Sequence, residues 1–319
     1  MICRICNNSQ NNRTFDVREM MFGLRETFTY FECSNCGCLQ IRDIPTDMAK
    51  YYGADYRPHR QIMPDSPMRR FFRVKRDRYV LFHVGTLGRL LQGRYPSDIL
   101  PLLARTGITT CSKILDVGCG TGALLFALRD AGFADLTGID PYVSEEVTSG
   151  AVRILRKTIH HLPGDERFDL IMANHSLEHV ADQSETLSAF REMLAEDGIC
   201  FIRVPVKTDQ IWKTCGVDWV QIDAPRHFFI HTLDSFTTLA KQTGFSVADV
   251  VFDSTDFQFW GSEQYRKNIP LLAANSYAVD KRQTLFSRRQ IAEFRQKAKE
   301  LNAINQGDQA AFYLKRKGG

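Results

Sequence analysis

Ile114-Leu115-Asp116-Val117 is a short apolar run that breaks into Gly118, Gly120 and Gly122 and resumes as Ala123-Leu124-Leu125-Phe126-Ala127-Leu128. This pattern predicts a buried parallel strand, a glycine turn and a helix that begins at once. Glycines let such a turn bend tightly and approach a ligand with no Cβ in the way. The free N–H groups at the helix start favour a negatively charged group. A second strand, Leu136-Thr137-Gly138-Ile139, ends in Asp140 and is stopped by Pro141. A carboxylate about 20 residues beyond the glycines can accept both ribose hydroxyls of an adenosine. The two strands predict an α/β nucleotide-type site without saying which nucleotide.

Periodicity extends the reading in both directions. Arg69 to Phe82 carries apolar residues at helical spacing, interleaved with Arg69, Arg70, Arg73, Lys75, Arg76 and Arg78. It predicts an amphipathic helix with a basic face that is either solvated surface or an anion-binding wall. A second helix is expected from Tyr95 to Arg105, after an aromatic, turn-rich stretch from Tyr51 to Tyr56. Thr232 to Thr243 reads as a helix stopped by Gly244, and Phe245 to Phe252 as a strand. An insertion of about fifty residues follows, roughly 254–308. Inside it Ser287-Arg-Arg-Gln290 is a capping-box pattern. Ile291, Phe294, Ala298 and Leu301 give the helix it starts a buried stripe.

Composition narrows the class. With 44% hydrophobic and 24% charged residues, the 319-residue chain has the balance of a soluble globular protein with room for a second, smaller domain. A net charge of +4 is too small to imply a nucleic-acid partner. No apolar run reaches the roughly 18 residues of a membrane span, and Met1-Ile2-Cys3-Arg4 leads into polar residues with no signal-peptide pattern. The expectation is a cytoplasmic enzyme. Five of the nine cysteines fall in the first forty positions: Cys3, Cys6, Cys33, Cys36 and Cys38. Cys3-x2-Cys6 and Cys33-x2-Cys36 are two knuckles, and four thiolates suit a closed, structural zinc site. Thr27 to Cys33 alternates like a strand, so a small zinc ribbon is expected, with Cys38 left over.

The loop Asp116-Val-Gly-Cys-Gly-Thr-Gly122 is G-x-G-x-G behind an acidic residue, where a dinucleotide dehydrogenase would prefer G-x-G-x-x-G. It resembles motif I of class I S-adenosylmethionine-dependent methyltransferases. Phe168 to Asn174 looks like that superfamily's fourth strand, and His175-Ser-Leu-Glu-His-Val180 like the entry to the next helix. Glu192 to Gly198 and Ile199 to Pro205 resemble the helix, turn and fifth strand; Gln309 to Lys315 would be the antiparallel seventh. The resemblance implies a Rossmann-like seven-stranded sheet. It divides the chain into a zinc-ribbon-like module over 1–45, a helical segment over 46–110 and an S-adenosylmethionine-binding domain over 111–319. The combination is similar to zinc-ribbon methyltransferases of surface-polysaccharide and natural-product pathways, which implies a sugar, sugar nucleotide or related metabolite as substrate.

By the same resemblance, Asp116 and the loop residues Gly118, Cys119, Gly120 and Gly122 hold the methionine part of the cofactor. Asp140 binds the ribose between Ile139 and Pro141, Thr158 and Ile159 stand in for the adenine contacts, and Asn174 and His175 face the sulfonium. A hydroxyl nucleophile needs a base, and histidine serves near neutral pH. His179 and His227 are the candidates, with His231, Arg226 and Trp219 as further substrate-side residues. The competing readings are an RNA base methyltransferase with a zinc module, favoured by the basic stretch from Arg69 to Arg78, and a non-catalytic protein that binds S-adenosylmethionine.

Overall fold

The computed structural model describes residues 1–52, 66–94, 96–282 and 285–318. The chain opens with a three-stranded antiparallel meander, β1 (Arg13–Arg18), β2 (Thr27–Glu32) and β3 (Leu39–Ile41). The alternation in Thr27–Glu32 puts Tyr30 inward, where it is fully buried. A fourth strand comes from far along the chain: Phe229–Ile230 pairs antiparallel with β3. Cys3, Tyr30 and Leu39 share one apolar core with Leu115, Ile202 and Phe312. The first 45 residues are therefore a lobe built into the larger body and completed by it.

α1 (Pro67–Phe82) starts at Ser66, whose side chain accepts from Arg69 N, with Pro67 in the first turn. α2 (Thr86–Leu91) runs back along it; a Cβ on Gly88 would collide with the Lys75 carbonyl of α1. Of the helix expected from Tyr95 to Arg105 only the later part forms, as α3 (Leu100–Ala104), and Tyr95 lies outside the described residues, as does the aromatic stretch beyond Tyr52. Part of the basic face of α1 is taken up by carboxylates. Arg70 and Arg73 pair with Asp130 at 2.6 and 3.0 Å, and Arg76 with its neighbour Asp77. The two pairs with Asp130 fasten α1 to the helix Ala123–Ala131, while the Arg76–Asp77 pair lies within α1.

The large sheet is built from β4 (Lys113–Val117), β5 (Asp135–Ile139), β6 (Val147–Ser149), β7 (Val152–Leu155), β8 (Phe168–Asn174), β9 (Leu194–Pro205), β11 (Phe245–Phe252) and β12 (Gln309–Arg316); β10 is Phe229–Ile230. Its order is β11-β12-β9-β8-β4-β5-β7-β6. β7, β5, β4, β8 and β9 are mutually parallel, and β12 runs antiparallel between β9 and β11, as expected of the last strand. β6 is an eighth strand that the pattern did not announce. It has three half-exposed or exposed residues and pairs in an antiparallel hairpin with β7 across Gly150.

Helices α4 (Ala123–Ala131), α5 (Gln183–Met193), α6 (Asp209–Cys215), α7 (Leu233–Gln242), α8 (Phe257–Arg266) and α9 (Arg288–Ala303) complete the fold. The capping box at Ser287 and Gln290 forms, and Ile291, Ala298 and Leu301 are buried as the stripe requires. From β4 the chain proceeds through β5 to β7, then returns to the other side of β4 as β8. This reversal opens a crevice at the carboxyl ends of β4 and β8, the place where such sheets bind ligands.

Candidate functional site

The carboxyl ends of β4, β5, β7 and β8 converge on one cleft. Gly118 follows β4, Ile139, Asp140 and Pro141 end β5, Thr158 and Ile159 follow β7, and His175 follows β8; all line it. Gly118 has φ +78° and lies so close to Ser176 that a Cβ would collide with it. Ser176 Oγ in turn donates to the Val117 carbonyl at 2.7 Å. The Asp140 carboxylate is fixed from two sides, accepting from Gly120 N at 3.0 Å and Tyr142 N at 2.8 Å. Glycine loop and second-strand acid thus form one rigid edge.

Asp116, Cys119, Gly120, Gly122 and Asn174 stand behind the surface that lines the cleft. The Asn174 side chain accepts from Arg203 Nη1 at 3.2 Å, and Gly122 precedes α4 with φ +75°. Asp116 is buried; burial, then the neighbouring charge of Asp140, raises its carboxyl to about 7. Below that value it is protonated, and a cation at the loop must displace the proton. The affinity for a cationic cofactor is therefore expected to fall about tenfold per pH unit below about 7 and to be flat above it. Calorimetric titration of S-adenosylmethionine across pH 6 to 8 checks this, and Asp116→Asn should remove the slope.

At the other end of the cleft His179 lines the wall, and buried His227 packs edge to face against it, the ring centroids 4.8 Å apart. Each commits Nδ1 to a backbone carbonyl: His179 to Arg226 O at 2.9 Å and His227 to Gln221 O at 2.7 Å. A carbonyl only accepts, so both Nδ1 atoms carry the proton and both Nε2 atoms carry a lone pair. Burial and then His227 bring His179 down to about 4, so it is neutral near pH 7. Burial alone would raise the Glu178 carboxyl, but the His175 hydrogen bond and the surrounding imidazoles outweigh it and hold it at about 2. Tyr52 adds its hydroxyl 3.2 Å from His179 Nδ1 and stacks on Tyr142 across the mouth.

A sequence model of the family described as "Methyltransferase domain" matches residues 87–250, just over half of the chain. The chain belongs to this methyltransferase family. Among curated relatives, the ubiquinone biosynthesis O-methyltransferase of Azorhizobium caulinodans is 32% identical over 140 residues, 40% of this chain and 54% of that protein. The trans-aconitate 2-methyltransferase of Enterobacter sp. is 30% identical over 114 residues, 34% and 45% of the two chains. The chain thus spans about half the length of curated relatives it matches. A solved 1,6-didemethyltoxoflavin-N1-methyltransferase of Burkholderia thailandensis, with S-adenosylhomocysteine bound, overlays 81% of this chain and 94% of its own at 14% identity and a TM-score of 0.43.

Three substrate-side expectations do not survive in this methyltransferase. The Arg226 guanidinium is fully buried and makes four hydrogen bonds. It donates to both oxygens of Asp223 at 2.9 and 2.6 Å, to Glu19 Oε1 at 3.0 Å and to the Tyr51 carbonyl at 3.1 Å. Fully buried among these partners, it is closed to an anionic substrate. His231 is buried with Nε2 on Gln183 Oε1 at 2.8 Å and Nδ1 on Ser235 Oγ at 3.0 Å. Trp219 is buried and donates to Asp308 at 3.0 Å. Lining residues that the sequence reading passed over include Tyr52, Tyr142, Ser176, Thr186 and Phe190. The last two sit one turn apart on α5, a helical spacing that carried the signal.

The family match begins at residue 87, beyond the N-terminal lobe, where Cys3, Cys6, Cys33 and Cys36 place their sulfurs within 4.8 Å of one another. The closest pairs are Cys3–Cys36 at 3.6 Å and Cys6–Cys33 at 3.5 Å, near the roughly 3.8 Å edge of a tetrahedral zinc–thiolate site. Gln40 Nε2 and Ile5 N point at Cys3 Sγ and Asn8 Nδ2 at Cys33 Sγ, as donors do toward thiolates. The donor set fits zinc. Cys38 points elsewhere, its sulfur 4.0 Å from His231 Nδ1. The lobe reaches the histidines directly: Tyr30 Oη donates to the His227 carbonyl at 2.8 Å, and Thr232 Oγ1 to the Cys36 carbonyl at 2.7 Å. If the four cysteines hold zinc, Cys33→Ser is expected to lower the zinc content by about one ion per chain and to lower the melting temperature. Elemental analysis and thermal denaturation read the two effects.

Proposed function

We propose that the chain transfers a methyl group from S-adenosylmethionine to a small-molecule acceptor, a sugar, sugar nucleotide or related metabolite. The observation that carries this reading is the division of the cleft. Asp140 and the glycine loop stand at one end, and at the other His179 lines the wall with His227 packed against it, both with their Nδ1 protons tied to carbonyls. In this reading Asp140 takes the ribose hydroxyls and the loop backbone the amino-acid end. Ile139, Thr158 and Ile159 border the adenosine. His175, His179 and Tyr52 surround the position of the reacting methyl. Methyl transfer is an in-line displacement, and the walls contribute mainly by alignment. The proton of the acceptor goes to His227, because His179 at about 4 is too weak a base to hold it. Four thiolates suit a zinc that stiffens the lobe behind His227 and takes no part in the transfer.

The sugar class is supported by the pairing of a four-cysteine lobe with this sheet. RNA as the acceptor loses its support from α1, whose Arg70 and Arg73 are engaged with Asp130. The deciding experiment is calorimetry with S-adenosylmethionine followed by a methyl-transfer screen over sugar nucleotides. Tight cofactor binding with a methylated sugar product is expected. Preference for a nicotinamide cofactor, or methylation of RNA alone, would overturn the proposal.

A further inference from the structure

Glu178 carries a buried carboxylate whose surroundings are incomplete. Its Oε1 is 3.3 Å from His175 Nδ1, while Oε2 has no hydrogen-bond partner among the described residues. Facing it, His227 Nε2 lies 3.9 Å from Glu178 Oε1 and 3.9 Å from Asp223 Oδ2. Since His227 Nδ1 donates to Gln221 O, Nε2 presents a lone pair, and three acceptors confront one another in a buried space. A proton on Nε2 does not complete the arrangement, because N–H···O bonds reach only to about 3.2 Å. A larger cation does. Glu178, His179 and His227 each offer one ligand atom, all three within 4.8 Å of one another. Ligands about 2.1 Å from a tetrahedral ion stand roughly 3.4 Å apart, so the three would close on it by small side-chain rotations. The surrounding charge points the same way: three carboxylates, Glu19, Asp223 and Glu178, are set against one guanidinium, Arg226.

We propose that Glu178, His179 and His227 form a site for a divalent transition-metal ion at the acceptor end of the cleft, separate from the four-cysteine site. Two imidazoles and one carboxylate leave coordination positions open, as in catalytic and not structural metal sites. His179 lines the cleft, so an open position faces the acceptor. The inference rests on the methyl-transfer reading for its acceptor and narrows it: the group held there is a hydroxyl, whose acidity such an ion raises so that its proton is lost to water in the cleft and the resulting oxyanion takes the methyl group as the carbon–sulfur bond breaks. His227 then serves through the same Nε2, as a ligand.

Cobalt(II) titration of the protein with zinc retained on its cysteines tests the site, because bands from nitrogen and oxygen ligands differ from the charge-transfer bands of thiolates. One equivalent is expected to bind without thiolate bands. Glu178→Gln and His227→Ala are each expected to weaken it by about tenfold or more, with circular dichroism unchanged. His179→Ala supplies a third variant should either fail to fold. S-adenosylmethionine binding is measured on the same samples. Cofactor binding with no cobalt beyond the cysteines, or cobalt affinity untouched in the folded variants, overturns the cation site and leaves the methyltransferase reading standing. Cobalt bound at the expected ligands with no cofactor binding supports the site and sinks the methyl-transfer reading.

Discussion

Replacing His227 by alanine is expected to lower kcat by about 10²–10⁴-fold while leaving the affinity for S-adenosylmethionine essentially unchanged. Both halves follow from position. Its ring stands behind His179, away from Asp140 and the glycine loop, so the cofactor loses no contact. Its Nδ1 is spent on Gln221 O, so the group removed from the reaction is Nε2. Whether Nε2 takes a proton or holds an ion, nothing nearby replaces it: His179 is held at about 4, and the Asp223 carboxylate is engaged by Arg226. His227→Gln is the informative companion, because its amide can keep the bond to Gln221 O without supplying an imidazole lone pair. Steady-state kinetics beside calorimetric cofactor titration checks the pair; unchanged turnover in both would remove His227 from the chemistry.

Arg226→Met is expected to destabilise the fold by about 3–5 kcal/mol, the usual consequence of removing one partner of a buried ion pair. Burial alone would lower the guanidinium pKa, but Asp223 and Glu19 outweigh it and raise it, so the side chain is charged at all accessible pH. Without it Asp223 loses its bidentate partner. Glu19 fares better, since it still accepts from the backbone N–H groups of Met21, Phe22 and Leu24. The damage should therefore centre on the loop that carries His227. Urea denaturation measures the stability loss. A variant as stable as the parent would show that the guanidinium is not holding the two lobes together.

Much of this was legible because the sheet strands are buried on both faces. Ile114 to Val117 and Phe168 to Asn174 are largely apolar runs, each broken by one aspartate, Asp116 and Asp169, and the glycines and Asp140 mark where the chain turns back at the cleft. The capping box at Ser287 also announced its helix, whereas the one at Thr232, with Ser235 as its partner, shows only in the structure. Arg226, His231 and Trp219 misled for one reason. A polar residue flanked by aromatics looks the same whether it faces a ligand or a buried partner, and Glu19 lies 207 positions from Arg226. The role of Glu178 was hidden likewise, as an acidic residue in a helical turn reads as solvated until its burial is known. β6 was invisible because an edge strand of three residues needs no apolar alternation.

The strand β10 has a consequence for how the protein is made. β3 ends at Ile41 and its neighbour begins at Phe229, so the ribosome must add 188 residues before the first sheet can close. At about 5–20 residues per second this is roughly 10–40 s. During that interval Leu39, Gln40 and Ile41, all buried in the finished fold, present an open apolar edge of the kind that recruits foreign strands. A zinc held by the four cysteines, as their donor set allows, would need only the first 36 residues and could be in place long before. An early-folding metal knot that holds an unfinished sheet until its last strand arrives would make expression yield, more than final stability, depend on zinc supply during synthesis.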